Sequence, residues 1–185
     1  MSNKIGDAPE RERDSRIRAR RVRLMLFDVD GVLTDGRLWY GPAGEALKAF
    51  HVLDGHGIKL LMQAGTAVAL LSGRSSPAVA VRAAELGIAH VLQGIDDKKA
   101  AFEALAAKLG VPADETGYMG DEVVDLPVLR RCGFACAPPG AQALVLANAH
   151  YVTRAAAGEG AAREACEYVL RAQGRLEAAL AGYLA

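Results

Sequence analysis

Val22-Arg23-Leu24-Met25-Leu26-Phe27-Asp28-Val29-Asp30-Gly31-Val32-Leu33-Thr34-Asp35-Gly36 decides the fold. A short, nearly continuous apolar run ending at an aspartate reads as a buried strand with a carboxylate at its tip. Similar runs recur at Ala67–Leu71, Ala89–Leu92, Gly117–Met119 and Gly133–Ala137. Segments of helical character separate them near Ile58–Ala64, Pro77–Leu86, Lys98–Leu109 and Val123–Arg131. Strands alternating with helices of about 10–12 residues imply βαβ crossovers, hence a doubly wound α/β fold with a mainly parallel sheet. Ligands of such sheets bind beyond the carboxyl ends of the strands, so the residues just past each run are the candidates for chemistry.

Outward from that stretch, Asp35–Leu53 places Leu38-Trp39-Tyr40 and Glu45 through Val52 on either side of Gly41-Pro42-Ala43-Gly44. This reads as a β-hairpin projecting from the sheet, too short to be a separate cap domain. A two-stranded hairpin is marginal alone, so one carrying Trp39, Tyr40 and Phe50 is expected to pack on something, another subunit included. A chain of 185 residues suits one domain. The expected divisions are a charged N-terminal arm at 1–22, a body at 23–175 and a C-terminal tail at 176–185. The arm, with its arginines, reads as a solvated segment or a fraying helix.

The 22 basic and 22 acidic residues balance, and 51% of the chain is hydrophobic, which argues against disorder and against a general nucleic-acid binder. Cys132, Cys136 and Cys166 form no CxxC pair and read as reduced thiols of a cytoplasmic protein. No apolar run approaches the roughly 18 residues that span a bilayer, so no membrane partner is expected.

Asp28 and Asp30, two residues apart and followed by Gly31, bring two acids near one point as the chain turns away. Such a pair can hold Mg²⁺, which takes oxygen ligands, or can divide nucleophilic attack and proton transfer. Asp-x-Asp-Gly by itself also describes part of a calcium loop or an ordinary turn. Three further strand ends add to it. Ser72-Gly73-Arg74 offers a hydroxyl and turn N–H groups for phosphate oxygens, and Lys98 is placed to reach back as a cation. Asp121 and Asp125 stand one helical turn apart, able to face one ion. Each has an ordinary structural reading: Ser72 as an N-cap, Lys98 on a solvated helix face, the two aspartates as helix-start acids. Their succession at strand ends, in order, is what points to a shared site.

That ordered set resembles the haloacid dehalogenase-like (HAD-like) superfamily of phosphatases, Rossmann-type folds, from Arg23 to about Arg175. The resemblance implies Asp28 as a nucleophile forming an aspartyl-phosphate and Asp30 as the acid/base. It implies Ser72 and Lys98 as phosphate holders, and Asp28, Asp30 through its backbone oxygen, and Asp121 as Mg²⁺ ligands, with Asp125 supporting the ion or its waters. A narrower similarity rests on Asp28–Gly36, the short hairpin, Phe50-His-Val-Leu-Asp-Gly-His-Gly-Ile-Lys59, Ser72-Gly-Arg74 and Ala156-Ala-Gly-Glu-Gly-Ala-Ala-Arg-Glu164. These resemble the family of 3-deoxy-D-manno-octulosonate 8-phosphate (KDO 8-phosphate) phosphatases, a capless branch in which hairpins associate around a tetramer axis and neighbouring subunits help close the site.

This likeness implies a small sugar-acid phosphate as substrate, a homotetramer, and contacts to the sugar from His51, Val52, Leu53, Asp54, Gly55, Lys59, Gly73, Arg74 and Arg82, beside Asp30 and Lys98. The two guanidinium groups suit a carboxylate, which they can pair in bidentate geometry; Arg82 also reads as an ordinary surface arginine. Glu122 stands where these enzymes usually show a second aspartate, Leu53 where an arginine often precedes Asp-Gly, and Glu159 in the Gly-rich tail where a neutral or basic residue is expected. The same chemistry on a nine-carbon sialic-type sugar 9-phosphate is an alternative, as is a non-catalytic tetramerisation module, although such modules tend to lose the acidic pair retained here. A signalling receiver domain would carry its acceptor aspartate after a central strand.

Overall fold

A computed structural model describes residues 8–184. Its centre is a six-stranded sheet of β1 (Leu24–Phe27), β4 (Ala67–Leu71), β5 (His90–Leu92), β6 (Thr116–Met119), β7 (Phe134–Ala137) and β8 (Tyr151–Val152), in the order β5-β4-β1-β6-β7-β8. Every pairing in it is parallel. The strand carrying Asp28 at its tip therefore lies between β4 and β6, whose ends carry Ser72 and Asp121. That adjacency is what turns separate motifs into one site.

Side chains of β1 alternate between two cores, as a strand covered on both faces requires. Met25 and Phe27 pack with α2 (Val52–Gln63), α3 (Pro77–Leu86) and α7 (Ala161–Ala172). Leu24 and Leu26 pack on the other face, with α4 (Lys98–Lys108), α5 (Leu126–Leu129) and α6 (Ala143–Asn148). The doubly wound, mainly parallel α/β arrangement is thus present, with β2 (Trp39–Gly41) and β3 (Gly44–Leu47) forming the antiparallel hairpin between β1 and α2.

The structure departs from the sequence expectation at both ends. Residues 8–20 of the expected arm form helix α1 (Ala8–Arg20), and its Ala19 and Ser15 are buried. Ser15 Oγ lies 2.5 Å from Tyr168 OH on α7, and Arg18 donates to the Gly133 carbonyl, so this face of α1 is docked rather than solvated. Residues 1–7 of the arm lie outside the described residues. At the other end, α8 (Leu176–Leu180) places Leu176 in the core with α7, so packing continues past residue 175. Helix α2 begins six residues before the expected Ile58, since Gly55 and Gly57 in its first turns weaken the helical signal while admitting Arg82 and Arg163 against the backbone.

Candidate active site

The turn after β1 is built on one carbonyl. Val29 O accepts the N–H groups of Val32, Leu33 and Thr34 at 2.9–3.3 Å, which curls the chain back and leaves Asp28 and Asp30 at the strand tip. Gly31 sits at φ +84°, and a Cβ there would run into the Asp121 carboxylate. Glycine is required by conformation and by space at once.

Asp28 is 6% exposed and its Oδ1 lies 3.0 Å from Lys98 Nζ. Lys98, the first residue of α4, is itself 5% exposed and is also 2.7 Å from Asp125 Oδ1. Asp125 is fully buried with every oxygen engaged: Oδ1 accepts Tyr118 OH at 2.5 Å as well as Lys98, and Oδ2 accepts the N–H groups of Asp121 and Glu122 at 3.0 and 3.1 Å. Asp125 therefore holds Lys98 and the Asp121 loop in place. Glu122, in place of the usual second aspartate, accepts the Val123 N–H at 2.7 Å and caps the short 3-10 turn Val123–Asp125.

Oxygens of Asp28, Asp121 and Asp125 lie within 4.8 Å of one another. Asp121 Oδ1 is buried without a hydrogen-bond partner. Burial, then the charges of Asp28 and Asp125, push the Asp121 carboxyl up to about 7; burial and Asp125 push Asp28 up to about 6 against the pull of Lys98. An orphaned carboxylate oxygen among clustered acids, with one lysine to offset them, fits a hard divalent cation held by oxygen ligands. Asp28 and Asp121 are the carboxylates free to hold it. Gly31 and Asp121 open onto a cavity of about 340 Å³, also lined by Asp35, Arg37, Pro138 and Glu159.

Ser72 stands past β4, 2% exposed, its Oγ accepting the Arg74 N–H at 3.2 Å in a tight turn; Gly73 is exposed. Arg74 turns toward Asp30, with Nε 3.6 Å from Asp30 Oδ2. Three residues that the motifs did not single out complete this side, all from the hairpin. Lys48 is ion-paired with Asp30, Glu45 Oε2 lies 3.1 Å from Arg74 Nη2, and Tyr40 OH accepts from Arg74 Nη2 at 3.2 Å. No linear pattern shows that a hairpin folds back over a loop some 30 residues downstream.

The segment His51–Gly55 divides between local capping roles and exposed surface. His51 is the N-cap of α2, its Nδ1 accepting the Leu53 N–H at 3.2 Å. Val52 and Leu53 are exposed. Asp54 is 2% exposed and caps α7 instead of facing a ligand: its oxygens accept the N–H groups of Arg163 at 2.8 Å and Gly160 at 3.3 Å. Gly55 is buried, leaving the space that Arg82 fills, and Arg82 pairs with Glu85 at 3.3 Å. Lys59 is exposed on α2 without a hydrogen bond or ion pair among the described residues.

Residues 81–164 match the family of haloacid dehalogenase-like hydrolases. The chain is 44% identical over 162 residues to the 3-deoxy-D-manno-octulosonate 8-phosphate phosphatase KdsC of Yersinia pestis, covering 88% of this chain and 87% of that protein. Among solved structures, the phosphatase of that name from Moraxella catarrhalis, in complex with magnesium ion, phosphate ion and KDO, superposes with TM-score 0.89 at 40% identity, covering 92% of this chain and 98% of that one. The cobalt-bound form of the Haemophilus influenzae phosphatase superposes with TM-score 0.87 at 42% identity, covering 91% and 99%. With a strand-tip aspartate pair, an orphaned Asp121 oxygen and this likeness along most of its length, the chain belongs to the 3-deoxy-D-manno-octulosonate 8-phosphate phosphatase family of haloacid dehalogenase-like hydrolases.

Proposed function

We propose that the protein is a Mg²⁺-dependent phosphomonoesterase that releases KDO and phosphate from KDO 8-phosphate, a step toward lipopolysaccharide precursors. The observation that carries this reading is Asp28 at the tip of β1, 3.0 Å from Lys98 and clustered with Asp121. Asp28 attacks phosphorus as the ester P–O bond breaks, and Asp30 gives its proton to the departing sugar oxygen. Asp30 then takes a proton from water as that water attacks phosphorus and releases Asp28. Ser72, the neighbouring turn N–H groups and Lys98 hold the phosphoryl oxygens. Bound Mg²⁺, held by Asp28, the Asp30 carbonyl and Asp121, supplies positive charge that offsets the repulsion between a phosphate and a carboxylate nucleophile.

Arg74 contacts the substrate carboxylate, exposed beside Asp30 with guanidinium geometry suited to it. Arg82 and the exposed Val52 and Leu53 belong to the surface that a neighbouring subunit completes. The assembly is a homotetramer built through the hairpin, supported by exposed Leu38, Trp39 and Leu47. The protein works in the cytoplasm, in keeping with three buried free cysteines; among the described residues no helix is long and apolar enough to cross a membrane.

Phosphate release from KDO 8-phosphate and from a nine-carbon sugar-acid 9-phosphate, measured in parallel with Mg²⁺, tests the reading. Preference for KDO 8-phosphate is expected, with Asp28→Asn lowering kcat by at least about 10⁴-fold, as expected when a covalent nucleophile is lost. Preference for the nine-carbon ester would overturn the substrate, and no release from either would overturn the enzyme.

A further inference from the structure

We infer that Glu45 is a positioning residue for substrate selection: from the hairpin it fixes the Arg74 guanidinium so that the N–H groups still free meet the carboxylate of the sugar acid. The inference deepens the function proposed above and rests on Arg74 being the carboxylate contact.

Glu45 is anchored at both oxygens. Oε1 accepts Ser76 Oγ at 2.5 Å, while Oε2 lies 3.1 Å from Arg74 Nη2 and 3.5 Å from Lys48 Nζ. Ser76 is in turn fixed, 4% exposed at the N-cap of α3, with its N–H donating to Gln93 Oε1 at 2.8 Å. Glu45 thus clamps the hairpin to the start of α3, and its side chain is 17% exposed. Its hydrogen bonds to Ser76 and Arg74 and the charge of Lys48 hold the carboxyl below its ordinary value despite some desolvation, so it is an anion at neutral pH.

Tyr40 is the cross-strand partner of Glu45 and accepts the second proton of Arg74 Nη2, at 3.2 Å. Nε faces Asp30 Oδ2 at 3.6 Å. Three N–H groups on two of the guanidinium nitrogens are therefore faced by acceptors, and Nη1 has no partner among the described residues while the side chain is 42% exposed. An arginine held in this way gives up little rotamer freedom when it binds an anion, whereas a loose one must be ordered first. Lys48, its side chain 2% exposed, sits between Glu45 and Asp30 and bridges them, so the clamp stays closed. The hairpin consequently serves the site of its own subunit through Tyr40, Glu45 and Lys48.

The opposite role for Glu45 has the opposite sign. If it were an internal competitor that the substrate carboxylate must displace, neutralising it would tighten substrate binding.

The experiment compares kcat/KM for KDO 8-phosphate with kcat/KM for p-nitrophenyl phosphate, which has no carboxylate, in the wild type, Arg74→Ala, Glu45→Gln, Tyr40→Phe and Glu45→Gln/Arg74→Ala. The ratio between the two substrates is the readout, because a merely structural role moves both together. Glu45→Gln is expected to lower the ratio about tenfold, mostly through KM, and Tyr40→Phe about threefold, in line with loss of an ionised acceptor and of an uncharged acceptor for the arginine's N–H groups. The double variant should match Arg74→Ala alone. If Arg74→Ala leaves the ratio unchanged, the carboxylate reading of Arg74 fails. If Arg74→Ala lowers it while Glu45→Gln leaves it unchanged or raises it, the positioning role of Glu45 is overturned, whatever Tyr40→Phe does.

Discussion

Asp121 and Asp28 hold a charge problem that only a cation or a proton solves. Their folded-state values near 7 and 6, raised by burial and by like charges, lie well above the ordinary aspartate value of 3.8. A raised carboxyl value means that the folded, metal-free protein keeps protons that the unfolded chain has released. The stability they confer is fully present below pH about 4 and is lost as the pH rises through about 6 and 7. Mg²⁺ replaces those protons, so it should raise Tm more at pH 8 than at pH 5. At pH 8, with the ion at about 100 times its Kd, the gain should be about 5–10 °C by scanning calorimetry, and chelation should reverse it. An equal gain at both pH values would separate the binding from these carboxylates. Gly31→Ala probes the same place sterically, since the new Cβ meets the Asp121 carboxylate at a positive φ. Mg²⁺ affinity should fall at least about tenfold by isothermal titration, the scale at which disturbing a ligand's support acts. Asp28, Asp30, Ser72 and Asp121 were legible because each stands just past an apolar run, and Lys98 because it opens the helix after the loop that follows one. Asp54 was not, because whether a carboxylate caps a helix or meets a ligand depends on a partner 109 residues away.

At the scale of elements, the core strands were readable since four or five consecutive buried residues leave a plain apolar signature. The two-residue β8 leaves none. Helix α1 shows the limit from the other side: its sequence is mostly charged, and the few residues that dock it, Ser15 and Ala19, are small. They matter because α7 offers a matching surface, where Tyr168 stacks on Tyr151 at 3.9 Å and on Phe134 at 5.9 Å between ring centroids. A charge at the helix contact has no partner to satisfy it. Ala19→Asp is therefore expected to cost about 3 kcal/mol, lowering Tm by about 6–12 °C in a domain of this size. Arg16→Asp, at an exposed position of the same helix, should shift Tm by less than about 2 °C. Thermal unfolding of the two variants checks both, and equal small shifts would mean that α1 is a solvated appendage after all.

For the whole molecule, the hairpin has two sides in different surroundings. Glu45 and Lys48 are engaged within the protomer with Arg74 and Asp30, and Tyr40, though 63% exposed, gives its hydroxyl to Arg74 as an acceptor. The neighbouring cross-strand pair, Trp39 and Leu47, remains 54% and 69% exposed, next to Leu38 at 41% and close in sequence to Val52 at 73% and Leu53 at 48%. A soluble monomer gains nothing from a cluster of large apolar side chains in water, whereas a symmetric assembly buries them once per subunit. Burying side chains of this kind is worth about 1.5–3 kcal/mol each, so losing two of them per subunit is enough to dissociate an assembly at micromolar concentration. Trp39→Ser/Leu47→Lys should accordingly shift the mass measured by light scattering from about four protomers toward one or two. The side chains that hold Arg74 are untouched; a site closed by a neighbour would then lose kcat/KM for KDO 8-phosphate while thermal unfolding of the protomer stays cooperative. A wild-type protein that is monomeric at micromolar concentration would overturn the assembly, and a dissociated variant with full kcat/KM would show that each protomer closes its own site.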